Sequence, residues 1–109
     1  MERRRYERTP VQLKAKLTIG NSNYTGFIEN LSLYGAYVEI VSLNVQINLN
    51  LKTKVEMKFK IPSGEILNIH GEVRWFRFDN TISNERKSYI GMEILEPPSK
   101  YREFLKTLI

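Results

Sequence analysis

Arg4 and Arg8 stand four residues apart in the segment Arg3-Arg4-Arg5-Tyr6-Glu7-Arg8, so four arginines fall within the first eight residues. A guanidinium is a planar five-donor fork that pairs with phosphate oxygens or with the O6/N7 edge of guanine. It also lies flat against an aromatic base. The chemistry on offer is an anion and purine clamp. A segment this polar has little reason to enter a core, and a solvated tail accounts for the same composition. As a clamp it would order on binding and turn occupancy into a change of shape.

A second group is Asn30-Leu31-Ser32-Leu33-Tyr34-Gly35. Asn30 and Ser32 alternate with Leu31, which places an amide and a hydroxyl on one side and the leucine toward the core. Gly35 is expected to supply a permissive dihedral where the chain turns close to a ligand. An ordinary turn, with Asn and Ser capping backbone N–H groups, uses the same residues. Tyr34 and Tyr37 border this group.

Composition removes several other chemistries. The 109 residues contain no cysteine, so disulfides, thiolate nucleophiles and Cys-based metal sites are excluded. His70 is the sole histidine, which leaves no His cluster for zinc or iron and no base beside a serine. No enzymatic activity is expected. A formal net charge of +5 favours an anionic partner without choosing between a nucleotide, a polynucleotide and lipid headgroups. No apolar run approaches the roughly 18–20 residues of a membrane span, and none of signal-peptide type follows the basic N-terminus, so the expected location is cytoplasmic.

The elements that must position these groups read as one domain of short strands. Val11 to Ile19 alternates apolar and polar residues over nine positions, the period of a strand with one wet face. Gly20 to Asn23 is turn chemistry, and Tyr24 to Glu29 is a second strand with Gly26 as a bulge or close-approach point. Ala36 to Val41 and Lys54 to Ile61 follow, then Ile66 to Phe78 and Ser88 to Leu95. Ser42 to Leu51 fits either a strand or a loop with anchoring apolar residues, and Asp79 to Lys87 reads as a polar connection. After Pro97 and Pro98, Tyr101, Leu105 and Leu108 recur at helical spacing, with Ser99 the expected N-cap. Trp75 is expected to be a barrel packing residue more than a stacking platform, and His70 to be structural or on the surface. The fold class is all-β: a six-stranded antiparallel barrel or roll with a terminal helix.

Taken together, the two polar groups resemble the paired motifs of the PilZ domain family. Arg4 and Arg8 fit RxxxR, while Asn30, Ser32 and Gly35 fit (D/N)xSxxG, in the family's order with one strand-turn-strand unit between them. Gly71-Glu72-Val73-Arg74-Trp75 and Tyr89-Ile90-Gly91-Met92-Glu93-Ile94 resemble two later strands of that family, with Ile94 where an aromatic is usual. The resemblance covers nearly the whole chain. It implies a six-stranded barrel, residues 11–109, preceded by a flexible ligand-wrapping segment, residues 1–10. The implied ligand is cyclic di-GMP, often an intercalated dimer of two nucleotides, with no cofactor. Arg4 and Arg8 would then meet guanine and phosphate groups, Asn30 the other guanine, and Ser32 a phosphate or nearby polar group. Arg3 and Arg5 would make secondary contacts. The output would pass to a downstream protein, from a monomer or a dimer.

Two other binding classes compete. A nucleic-acid-binding barrel accounts for the charge, but such binders spread bases and aromatics over a sheet face, whereas these arginines are concentrated at one end. A ligand-independent adaptor would use the barrel for protein contacts alone, and the intact motifs count against it.

Overall fold

The first alternating run becomes strand β1 (Thr9–Ile19), with Ala15, Leu17 and Ile19 buried and Lys14 and Lys16 exposed. The computed structural model describes residues 9–43, 49–80 and 85–108. Within them follow β2 (Ser22–Ser32), β3 (Gly35–Leu43), β4 (Lys54–Lys60), β5 (Ile66–Asn80), β6 (Glu85–Ile94) and helix α1 (Ser99–Thr107). The strands pair antiparallel and close in the order β1-β2-β3-β6-β5-β4. The expected six-stranded barrel with a C-terminal helix is thus the fold, and closure leaves no edge to guard.

Leu17, Ile28, Val38, Met57, Ile69 and Ile90, one from each strand, have no accessible surface. Burying a side chain of this size is worth about 1.5–3 kcal/mol. A one-residue slip of any strand would turn its row to water, so these residues fix the register. Gly26 is a close-approach point: a Cβ there would stand 2.4 Å from Leu17 Cδ1 and 3.0 Å from the Glu39 carbonyl oxygen.

The ladders are not uniform. Register shifts fall between Pro10 and Leu13 on β1, between Ile28 and Asn30 on β2, and between Val73 and Trp75 on β5. An extra residue on one strand reverses which later side chains face inward. On β2 the buried positions change from Gly26 and Ile28 to Leu31, and on β5 the residue two beyond buried Val73 is 41% exposed Trp75. Trp75 therefore packs on the outer wall of the barrel, against Tyr37 and Gly91, and not in its interior.

Strand limits differ most where polar residues suggested connections. Asp79, Asn80 and residues 85–87 belong to the β5–β6 ladder, which runs out to Asn80 opposite Arg86. Backbone pairing carries a ladder beyond its last apolar side chain. In the ambiguous segment β3 ends at Leu43, residues 44–48 lie outside the described residues, and Leu49 is a buried anchor ahead of a turn at Leu51 and Lys52.

The helix begins at Ser99, and its N-cap is Pro98, with no side-chain capping bond. Ser99 is thus not the cap. Pro98 is extended, and its carbonyl accepts the first helical bond, from Arg102 N–H at 3.0 Å. Tyr101 and Phe104, three apart on one face, are buried, and the Phe104 ring meets Phe59 at 6.1 Å. Lys100 pairs with Glu65. Tyr101 Oη donates to the Ser32 carbonyl at 2.6 Å, which fastens the helix over the barrel end where β2 finishes.

Candidate functional site

Register decides what surrounds the Asn-Ser-Gly group. Thr9 lies opposite Leu31 and Pro10 opposite Asn30, so the strand that continues from the arginine segment enters the barrel beside this group. Arg3, Arg4, Arg5 and Arg8 themselves lie outside the described residues. Thr9 and Pro10 are already part of β1.

From Pro10 a single row crosses the barrel wall: Pro10, Asn30, Tyr37, Gly91 and Trp75, one residue each from β1, β2, β3, β6 and β5. Asn30 and Tyr37 are half-buried, and Pro10 and Trp75 are exposed. The Tyr37 and Trp75 ring centroids are 5.3 Å apart and tilted at 39°. Gly91 makes this possible, since a Cβ there would stand 2.0 Å from Trp75 Nε1, so the indole rests on bare backbone. The row extends to Tyr89, stacked on Tyr37 at 6.0 Å, with the Arg77 guanidinium 4.5 Å above the Tyr89 ring. Desolvation first, then the Glu39 and Asp79 charges, raises the Tyr89 phenol above its ordinary value. The result is an aromatic ledge of mutually tilted rings, continuous with Asn30 and carrying a cation at its far end.

Ser32 is only 7% exposed, and its hydroxyl donates to the Gly35 carbonyl at 3.4 Å, the long limit of such a bond. Its backbone carbonyl holds Tyr101, whose phenol burial pushes far above the tyrosine range, so it stays a donor. Gly35 does not use a left-handed dihedral. Among the described residues positive φ occurs at Gly20, Lys52, Gly64 and Glu96. Leu33 and Tyr34 make the reversal, and Gly35 is already a buried strand residue paired with Ser32 and Glu93. The structure thus brings Asn30, Ser32 and Gly35 together at the end of one hairpin.

The sequence does not single out Gly91 as part of this ledge, and it favours a packing role for Trp75 over a stacking one. The available signal was a glycine between two apolar residues in one strand and a tryptophan in another. His70 is exposed. Among the described residues no group of three or more His, Cys, Asp or Glu side chains could hold a metal ion. No described helix is long and apolar enough to cross a membrane.

Comparison with known proteins agrees with the fold. The PilZ domain profile matches residues 2–109. No curated protein matches the sequence significantly. The PilZ domain of YcgR from Escherichia coli, solved with c-di-GMP, is similar with a TM-score of 0.74 and 14% identity, over 98% of this chain and 89% of that one. The Bacillus subtilis inhibitor of motility MotI/DgrA is similar with a TM-score of 0.70 and 18% identity, over 99% of this chain and 50% of that one. The Borreliella burgdorferi PlzA protein, in complex with c-di-GMP, has a TM-score of 0.56 and 10% identity, over 93% and 50%.

Proposed function

The chain belongs to the PilZ domain family, and from that premise we propose that it is a receptor for cyclic di-GMP that signals by closing its arginine segment over the ligand. PilZ domains are receptor and adaptor domains without catalysis of their own. The observation that carries the reading is the register of Thr9 with Leu31 and Pro10 with Asn30. Arg8 is one peptide bond from Thr9, about 3.8 Å between Cα atoms, and the five residues back to Arg4 span at most about 18 Å. Both arginines are therefore tethered within reach of Asn30.

In this reading Arg4 and Arg8 give charge-assisted bonds to phosphate oxygens and guanine edges, and Arg3 and Arg5 add secondary contacts. Asn30 bonds the second guanine. Ser32 exchanges its long bond to Gly35 for a phosphate oxygen, and Gly35 puts no side chain in the way. The exposed indole of Trp75 offers a base an apolar ring face, which suits an intercalated pair of nucleotides. Ordering of the leader then presents a new surface to a downstream protein.

Isothermal titration with cyclic di-GMP tests this beside GMP and a single-stranded oligonucleotide. Selective binding of the cyclic dinucleotide, with two ligands per chain, is the expected result. Oligonucleotide binding that grows with length, or no heat with cyclic di-GMP, would reject it.

A further inference from the structure

On the far side of the closed ring from the β3–β6 seam, β1 pairs with β4, and the end of this seam around the Ala15–Phe59 pair is lined with lysine, whereas the other end pairs Thr18 with Glu56. Lys16 and Lys58 face each other directly across it, and Lys14 and Lys60 flank the neighbouring Ala15–Phe59 pair. Like charges opposite one another destabilise a sheet. Lysines on an edge strand discourage unwanted pairing, but neither β1 nor β4 is an edge here. Among the described residues no carboxylate pairs with any of the four, since the ion pairs use Lys54, Arg74, Arg77, Lys87 and Lys100. A local rule broken without a partner among the described residues is the kind of inconsistency that functional surfaces carry.

The shape narrows the partner. A groove of about 520 Å³ runs between the lysines, over the Ala15–Phe59 pair. Lys14 is opposite Phe27 on β2, and Lys60 is opposite Ile66 on β5. Both apolar neighbours are exposed, Phe27 at 40% and Ile66 at 64%. The surface is thus concave, cationic along its middle and apolar at two margins. A lysine ammonium is a compact charge on a flexible stem, without the planar fork that reads phosphates and bases. We propose that the β1–β4 seam docks an acidic, amphipathic segment of a partner protein. Its carboxylates meet the lysines, and its apolar side chains cover Phe27 and Ile66. This surface is separate from the nucleotide site and does not depend on it.

The test uses the full chain and a fluorescein-labelled synthetic peptide of alternating Glu and Leu, followed by anisotropy at low salt. Saturable binding is expected, together with its loss when Gln replaces the peptide's Glu. The double variant Lys16→Glu/Lys58→Glu should weaken binding roughly tenfold or more. Lys16→Gln/Lys58→Gln, which adds no new charge, should fall between and guards against misfolding of the first. Titration of cyclic di-GMP should be the same in both variants as in the parent. Absence of saturable binding, or affinity unchanged in the reversed variant, overturns the proposal. So does tighter binding of phosphatidylglycerol vesicles or of a thymidine oligonucleotide that the same reversal abolishes.

Discussion

The β3–β6 and β1–β4 seams lie across the barrel from each other and use the same antiparallel pairing, yet they present opposite chemistry. At β3–β6 the outward rings of Tyr37 and Tyr89 stack, the Trp75 indole of β5 rests on Gly91 beside them, and the strands to either side carry register shifts. At β1–β4 the paired stretch is regular, and its outward pairs are Lys16 with Lys58 and Thr18 with Glu56, with Lys14 and Lys60 just beyond. A regular ladder yields a periodic charged array. A bulged one re-aims single side chains, as it does with Trp75, and builds a local surface out of rings that a uniform pleat would point elsewhere. The bulges therefore do more than adjust curvature, since they decide which face carries the aromatic ledge.

The comparison breaks most readily at the arginines. Arg8→Ala should remove charge-assisted bonds worth about 1.5–3 kcal/mol, about ten- to a hundredfold in cyclic di-GMP affinity by calorimetry. Binding of the acidic peptide should be untouched. Ser32→Ala should cost less, and unchanged affinity in both variants, with normal folding, would remove the proposed nucleotide site.

Tyr101→Phe comes next. It leaves the buried Ser32 carbonyl without its donor, at about 1–3 kcal/mol in urea unfolding. Its pH dependence has a definite sign. Burial raises the Tyr101 phenol in the folded chain, so its contribution is whole below the ordinary tyrosine value of 10 and is lost as pH rises past it. The stability gap between parent and variant should narrow above that pH.

Gly91→Ala should lift the indole from the backbone and forfeit about 0.5–1.5 kcal/mol of ring packing. Trp75 is the sole tryptophan, so a red shift of its emission reports the change directly. The smallest effect is a gain: Lys58→Glu puts an opposite charge across from Lys16 and should add about 0.2–1 kcal/mol, read as a higher Tm. A fall in Tm would show that the lysine pair carries no strain.

Much of this architecture was legible in the residues. Alternation in Val11 to Ile19 and in Lys54 to Ile61 named strands whose inward faces are the ones observed, and the spacing of Tyr101 and its neighbours named the helix. Asn30, Ser32 and Gly35 do share one hairpin end. What escaped has a common cause in the backbone. A one-residue bulge has no compositional signature, yet it turned Trp75 outward. Strand ends such as Asp79 and Asn80 are held by main-chain bonds that polar side chains conceal. The cap fell to Pro98 because a fixed φ and an accepting carbonyl served where a hydroxyl was expected. The turn before Gly35 was made by Leu33 and Tyr34, leaving the glycine's freedom unused.

Closure of the six strands has a mechanical corollary. A ring whose every ladder is joined to the next shears only if all its pairings slip in step, so the wall behaves as a stiff hub. Two attachments lie outside that wall, the entry of β1 at Thr9 opposite Leu31 and the helix latched to Ser32, and a probe placed at either would test whether the proposed ligand moves them.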